Sequence, residues 1–199
     1  MIFFYNIDKN HPFSLLYDKY LEASKRNQTS IEAMVLATLD LENMLPNSRF
    51  VNAKYITNEE IIFFSNYQGT KSREIENTNN VSVIFYWDTI KVQIRIRGRI
   101  IKSKKEVSDK HFFERSDDKN AIAISSNQSS VIDSYSYVVK KYEEVLNDNS
   151  SIRQRPSYWG GYSIKPYYFE FWEGQDSRVN KRKVYELKNK KWESYYLEP

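Results

Sequence analysis

A chain of 199 residues with 40% hydrophobic and 16% aromatic content and a net charge of +4 reads as one folded unit, residues 1–199, since about 150 residues make a domain. It has no Cys and only two His, at positions 11 and 111, which excludes a disulfide framework, a thiolate metal site and a thiol nucleophile, and argues against any metal centre. No apolar run approaches the roughly 18 residues that cross a bilayer, and the apolar start at residues 2–5 meets Asp8 at once, so the expectation is a cytoplasmic protein with no membrane partner.

Residues 12–27 place Phe13, Leu16, Tyr17, Tyr20 and Leu21 at helical spacing, which predicts an amphipathic helix and makes residues 1–29 an N-terminal helical cap. Residues 33–39 and 49–56 read as the two strands of a hairpin, with turn residues at 40–48. Residues 60–65 and 81–87 are further strands on either side of a short exposed helix at 70–77. In residues 92–100, Val92, Ile94, Ile96 and Ile100 alternate with Gln93, Arg95, Arg97 and Arg99, so one strand face is a row of cations. Helices follow at 106–116 and 132–146. The second carries Ile132, Tyr135, Val138, Val139, Tyr142, Val145 and Leu146 as an apolar stripe, with Ser129 or Ser130 as its natural N-cap. Residues 147–157 read as a loop, and 162–197 as aromatic strand runs broken by turns at 174–177 and near 189.

Five or more strands with few helices between them predict a mainly β protein with peripheral helices, its core an antiparallel barrel. Residues 91–105 and 178–191 each carry seven Lys or Arg on an otherwise acidic chain, which suits an anionic ligand in a pocket or a nucleic-acid face. Binding of nucleic acid through Arg95, Arg97 and Arg99 is disfavoured, because the nearby aromatics occupy core-like positions rather than interleaving with the cations. With only 5 Gly there is no glycine-rich phosphate loop, so a phosphate must be held mainly by side chains.

The segments HPFSLL from His11, SRFVNAK at 48–54, FFSNYQGTKSREIEN at 63–77, VSVIFYW followed by Gln93 and IRIRG at 81–98, HFFERSDDK at 111–119, SSNQSS at 125–130, PSYWGGY at 156–162 and FEFWEGQDSRVNKR at 169–182 occur in one order along the chain. In that order and spacing the chain resembles the pyridoxamine 5'-phosphate oxidase family of flavin mononucleotide (FMN) enzymes. The resemblance implies a split-barrel homodimer with flavin sites built from both chains. It implies cofactor contacts from Arg49, Phe50, Val51, Lys54, Phe64, Ser65, Thr70 and Lys71, with Gln128 and Ser129 arriving across the dimer, and Gln93, Trp172 and Arg182 near the isoalloxazine. For the substrate phosphate it implies Lys54, His111, Arg115 and Lys119, and for catalysis over the substrate ring Arg178 and Asn180.

This chain departs from the family pattern where a Tyr and a Ser are usual at 111 and 119, a His at 180 and an Arg at 70. An imidazole at 111 is expected near its titration range, with its pKa raised by a bound phosphate. The activity implied is oxidation of pyridoxamine or pyridoxine 5'-phosphate to pyridoxal 5'-phosphate, with oxygen as acceptor, in vitamin B6 metabolism. The alternatives are a related flavin oxidoreductase acting on another anionic substrate, or a flavin-binding module without turnover.

Overall fold

The structure, a computed structural model, describes residues 1–9, 11–148 and 151–199; position 10 of the expected cap and positions 149 and 150 of the expected loop lie outside the described residues. A two-residue strand β1 (Phe3–Phe4) leads to helix α1 (Pro12–Lys25) and a hairpin of β2 (Ala33–Asp40) and β3 (Leu45–Ile56). The turn is shorter than expected. Pro46, Asn47 and Ser48 pair with Leu39, Thr38 and Ala37, so the partner strand draws turn-forming residues into the ladder. Next come β4 (Ile61–Asn66), α2 (Thr70–Asn77), β5 (Asn80–Trp87) and β6 (Val92–Lys102). Three helices, α3 (Lys105–Glu114), α4 (Asp117–Ser125) and α5 (Tyr135–Asn147), precede β7 (Trp159–Glu173), β8 (Lys181–Lys188) and β9 (Lys191–Leu197).

Strand pairing closes a ring. β3 pairs with β2, β2 with β5, β5 with β6, β6 with β7, β7 with β4, and β4 returns to β3, all antiparallel. Among the described residues only β1 is parallel, to β3, while β8 and β9 extend the sheet beyond β7. The expected antiparallel barrel with peripheral helices is therefore the fold. Val92, Ile94, Ile96 and Ile100 all turn into the core, as the alternation of β6 requires. At Gly98 the β6–β7 register shifts, and a Cβ there would lie 2.8 Å from the Lys165 carbonyl oxygen, so only glycine lets the strands approach this closely. The outward cations are partly engaged, with Arg95 3.1 Å from Glu170 and the Arg97 guanidinium 3.8 Å from the Tyr168 ring centre.

Helix α1 packs onto the barrel through Phe13, Leu16, Tyr20 and Ala23, with Phe13 edge-on to Phe169 at 5.0 Å. Helix α5 begins later than expected, with Ser134 rather than Ser129 or Ser130 at its N-cap. Its apolar stripe is nowhere fully buried: Ile132 and Tyr135 are exposed, and Val138, Val139, Tyr142, Val145 and Leu146 are half-buried. Helix α4 was not foreseen. Ser116 at its N-cap position and Asp117 and Asp118 in its first turn are the signals that mark it. Among the described residues no helix is long and apolar enough to cross a membrane, and no three of His, Asp and Glu gather to hold a metal.

Candidate active site

A cleft of about 730 Å³ opens beside the barrel wall between β3, β4 and helices α3 and α4. Behind one end of it, where Ser65 and Gln128 form the wall, lies a buried cation. Gly69 caps α2, and Lys71, in the first turn of that helix, is buried and donates to Oε1 of Gln128, which also lies 3.5 Å from the Ser65 hydroxyl. A Cβ on Gly69 would come within 2.9 Å of that same Gln128 oxygen, so the glycine leaves room for the cradle. Burial, with the nearby Arg49 charge, pushes Lys71 down to about 8. Within the protomer, Gln128 reaches Lys71 of its own chain. Ser129 is exposed at φ 72°, and Thr70 is exposed with its hydroxyl 3.5 Å from Arg73.

Arg49, on β3, is held by the buried Glu74. Its Nη2 lies 3.0 Å from Glu74 Oε2, its Nη1 donates to the Thr38 hydroxyl, and Asn47 donates to the other Glu74 oxygen at 2.7 Å. A buried carboxylate satisfied by three donors fixes the guanidinium in one orientation. Neither Glu74 nor its partners Thr38 and Asn47 were singled out from the sequence.

The other end of the cleft holds Lys54, His111, Arg115 and Lys119, with Phe50, Val51 and Phe64 along its wall. Phe50 is 75% exposed, unusual for a strand aromatic. His111 stacks on Phe64 at 3.7 Å and 11°, parallel to Trp159 at 6.3 Å, and its Nδ1 is 2.7 Å from the Tyr55 hydroxyl. The expectation that His111 titrates near neutrality is overturned. Burial, then the charges of Arg115, Lys54 and Lys119, pushes it down to about 3, so the imidazole is neutral. Arg115 lies 4.4 Å over the Trp159 ring and donates through Nη2 to the Lys119 carbonyl at 2.9 Å, while Nη1 is buried with no hydrogen-bond partner among the described residues. A buried guanidinium nitrogen without an acceptor, at the edge of a cationic cleft, is fitted to an incoming oxyanion.

The remaining expected residues lie elsewhere. Gln93, Trp172 and Arg182 are consecutive partners across β6, β7 and β8. Trp172, Arg178 and Asn180 line a second cleft of about 460 Å³ that shares no residue with the first. Arg178 is exposed at φ 62°, and Asn180 Oδ1 accepts the Gln175 N–H at 3.0 Å, which ties down the loop before β8. Arg182 is held by the buried Glu170 at 2.8 Å.

A sequence profile described as pyridoxamine 5'-phosphate oxidase matches residues 21–148, and one described as the pyridoxine 5'-phosphate oxidase C-terminal dimerisation region matches 159–199. The chain belongs to the pyridoxamine 5'-phosphate oxidase family. It is 35% identical to the pyridoxine/pyridoxamine 5'-phosphate oxidase of Chromohalobacter salexigens, over 84% of this chain and 78% of that one. The corresponding protein of Rippkaea orientalis is 34% identical over 98% of this chain and 91% of its own. Among solved structures, PhzG from Burkholderia lata 383, in complex with tetrahydrophenazine-1-carboxylic acid, superposes with a TM-score of 0.90 at 26% identity, covering 95% of this chain and 93% of that one. A pyridoxamine 5'-phosphate oxidase-related, FMN-binding protein from Nostoc punctiforme shares the fold at a TM-score of 0.77 and 14% identity, with 96% of this chain and 99% of that one covered. Family membership makes this chain a flavin-dependent oxidoreductase, and its C-terminal dimerisation region makes the homodimer its expected assembly.

Proposed function

We propose that this chain oxidises pyridoxamine or pyridoxine 5'-phosphate to pyridoxal 5'-phosphate, with FMN as cofactor and oxygen as final acceptor. The carrying observation is that the cleft holds one cationic group, around Arg115, and is bordered by a second that meets its wall at Gln128 and Ser65. Lys71, with Arg49 and Ser65, suits the cofactor phosphate, and the orphaned Arg115 Nη1, with Lys54 and Lys119, suits a substrate phosphate. FMN, when bound, supplies the redox chemistry by accepting a hydride. The chain's own part is to orient the substrate, to neutralise its phosphate, and to exclude water along the stacked rings of Phe64, His111 and Trp159. The second cleft of one protomer, with Trp172, Arg178 and Asn180, completes the first cleft of its partner, which accounts for the two halves of the expected site standing apart in one chain.

The test is anaerobic addition of pyridoxamine 5'-phosphate to the flavin-loaded protein, with bleaching of the flavin bands as the expected result. Arg115→Ala is expected to weaken that substrate by roughly 2–4 kcal/mol, the scale for deleting one partner of a buried charge pair, with flavin content unchanged. Equal affinity for phosphorylated and unphosphorylated substrate would remove the reading. A second reading, another anionic substrate, is favoured by His111, Lys119 and Asn180 and by the likeness to PhzG, whose structure holds a carboxylic acid. It predicts no bleaching by either B6 phosphate.

The pH dependence of cofactor binding follows from Lys71. A phosphate dianion favours its charged form, so binding takes up a proton once pH exceeds about 8, where the unliganded amine is neutral. FMN affinity, followed by flavin fluorescence, is expected to fall as pH rises through about 8.

A further inference from the structure

We propose that Tyr55 is a positioning residue for the substrate end of the cleft: its hydroxyl donates to Nδ1 of His111 and fixes the imidazole as the tautomer protonated on Nε2, which donates to the substrate's anionic group. The inference rests on the phosphorylated-substrate reading above for the identity of that group.

The geometry begins with the backbone. The β3–β4 register shifts between Ala53 and Tyr55, and such an irregularity re-aims side chains, so the neighbours Lys54 and Tyr55 need not face opposite sides of the strand. Lys54 lines the cleft, and the Tyr55 hydroxyl reaches the ring of His111, which lines it too. Tyr55 is braced edge-on against Phe64 at 5.8 Å and meets the imidazole perpendicularly, with ring centres 5.4 Å apart. Its hydroxyl is therefore directed at Nδ1 from a fixed ring, while Phe64 and Trp159 hold the imidazole plane.

Proton accounting decides the direction of this hydrogen bond. The groups facing His111 are Tyr55 and Lys54 from β3, Arg115 and Lys119 from the α3–α4 region, and Glu114, which acts on Tyr55, from α3. Burial, with Glu114 beside it, pushes Tyr55 up to about 12, and His111 is pushed down to about 3, so each ring carries one exchangeable proton across the neutral range. Were the imidazole proton on Nδ1, the phenolic proton would be left with no acceptor among the described residues. With the phenol as donor, both groups of the pair are satisfied within the protein, and the imidazole proton then sits on Nε2, which makes no hydrogen bond among the described residues. A neutral N–H beside Lys54, Arg115 and Lys119 adds a directed hydrogen bond to an oxyanion without adding charge.

The experiment is long-range proton–nitrogen correlation on flavin-loaded protein with labelled histidine, from about pH 5.5 to 9. The expected result is one His111 tautomer, protonated on Nε2, with no titration over that range. Tyr55→Phe is expected to mix the tautomers and to weaken pyridoxal 5'-phosphate about 3- to 10-fold, with flavin content unchanged. His111→Gln, which keeps a neutral N–H donor, is expected to retain more affinity than His111→Ala, and to lose its dependence on Tyr55. A wild-type imidazole protonated on Nδ1, or titrating near 6.5, overturns the proposal whether or not any variant folds. So does an unchanged tautomer and affinity in Tyr55→Phe. If the tautomer is as stated and inorganic phosphate affinity depends on Tyr55, yet pyridoxamine 5'-phosphate does not bleach the flavin, the substrate reading falls and the positioning role stands.

Discussion

Lys71→Met is expected to lower FMN affinity by roughly 2–4 kcal/mol, about 30- to 1000-fold, with the melting temperature unchanged or slightly raised. The amine is buried with an amide oxygen, that of Gln128, as its hydrogen-bond acceptor. Met fills a similar volume without the desolvation cost that depresses the amine in the unliganded chain. Arg49→Ala should behave differently. Its partner Glu74 is only 4% exposed, and removing the guanidinium leaves that carboxylate with the hydrogen bonds of Thr38 and Asn47 and the less direct charge of Lys71. A stability loss of about 3–5 kcal/mol is expected in addition to the cofactor defect, because a buried charge without its counter-ion is the expensive species. Flavin titration and thermal unfolding of the two variants separate these outcomes. Tight flavin binding by both would show that the cofactor phosphate lies elsewhere, and equal melting temperatures would show that Glu74 does not depend on Arg49.

The barrel was legible in the sequence because its inner face is written with period two. The β6 alternation of Val92, Ile94, Ile96 and Ile100 leaves one register with the apolar side chains inside. Where hydrophobic pattern and local propensity disagreed, the reading failed. Pro46, Asn47 and Ser48 look like a turn, yet pairing with β2 holds them in a strand. The stripe on α5 is strongly periodic, yet it packs mainly against α4 among the described residues, and its first residues stay exposed. Periodicity reports that a face is apolar and does not report what buries it.

The site divides in the same way. Residues inside contiguous motifs, such as Lys71 within 63–77 and Arg115 within 111–119, were found through the family resemblance those motifs carry. The groups that determine how those residues behave come from other elements of the fold. Glu74 is 25 positions from Arg49, and Tyr55 is 56 positions from His111. Neither pairing has a signature in one sequence. The expected titration of His111 failed for that reason: an isolated imidazole titrates near neutrality, but three cations and two stacked rings surround this one.

A buried carboxylate on β7 provides the other large effect. Glu170 is 2% exposed and accepts from Arg95 at 3.1 Å, Arg182 at 2.8 Å and the Tyr168 hydroxyl at 3.0 Å. The two guanidiniums are far more open to water, at 46% and 24% exposure. Deleting the carboxylate and deleting its partners are therefore unequal insults. Glu170→Ala releases two arginines that can rehydrate, so the expected stability loss is about 1–3 kcal/mol, the scale of hydrogen bonds to charged groups. The double variant Arg95→Ala with Arg182→Ala leaves the buried carboxylate with Tyr168 alone, and the expected loss is about 3–5 kcal/mol. Denaturant unfolding of the purified variants gives both numbers. The order of the losses carries the argument, since it follows from which partner is buried rather than from how many bonds are cut. If Glu170→Ala proves the more damaging, the arginines are the groups that cannot recover solvent, and Arg182 owes its place beside Trp172 to packing instead of to the carboxylate beneath it.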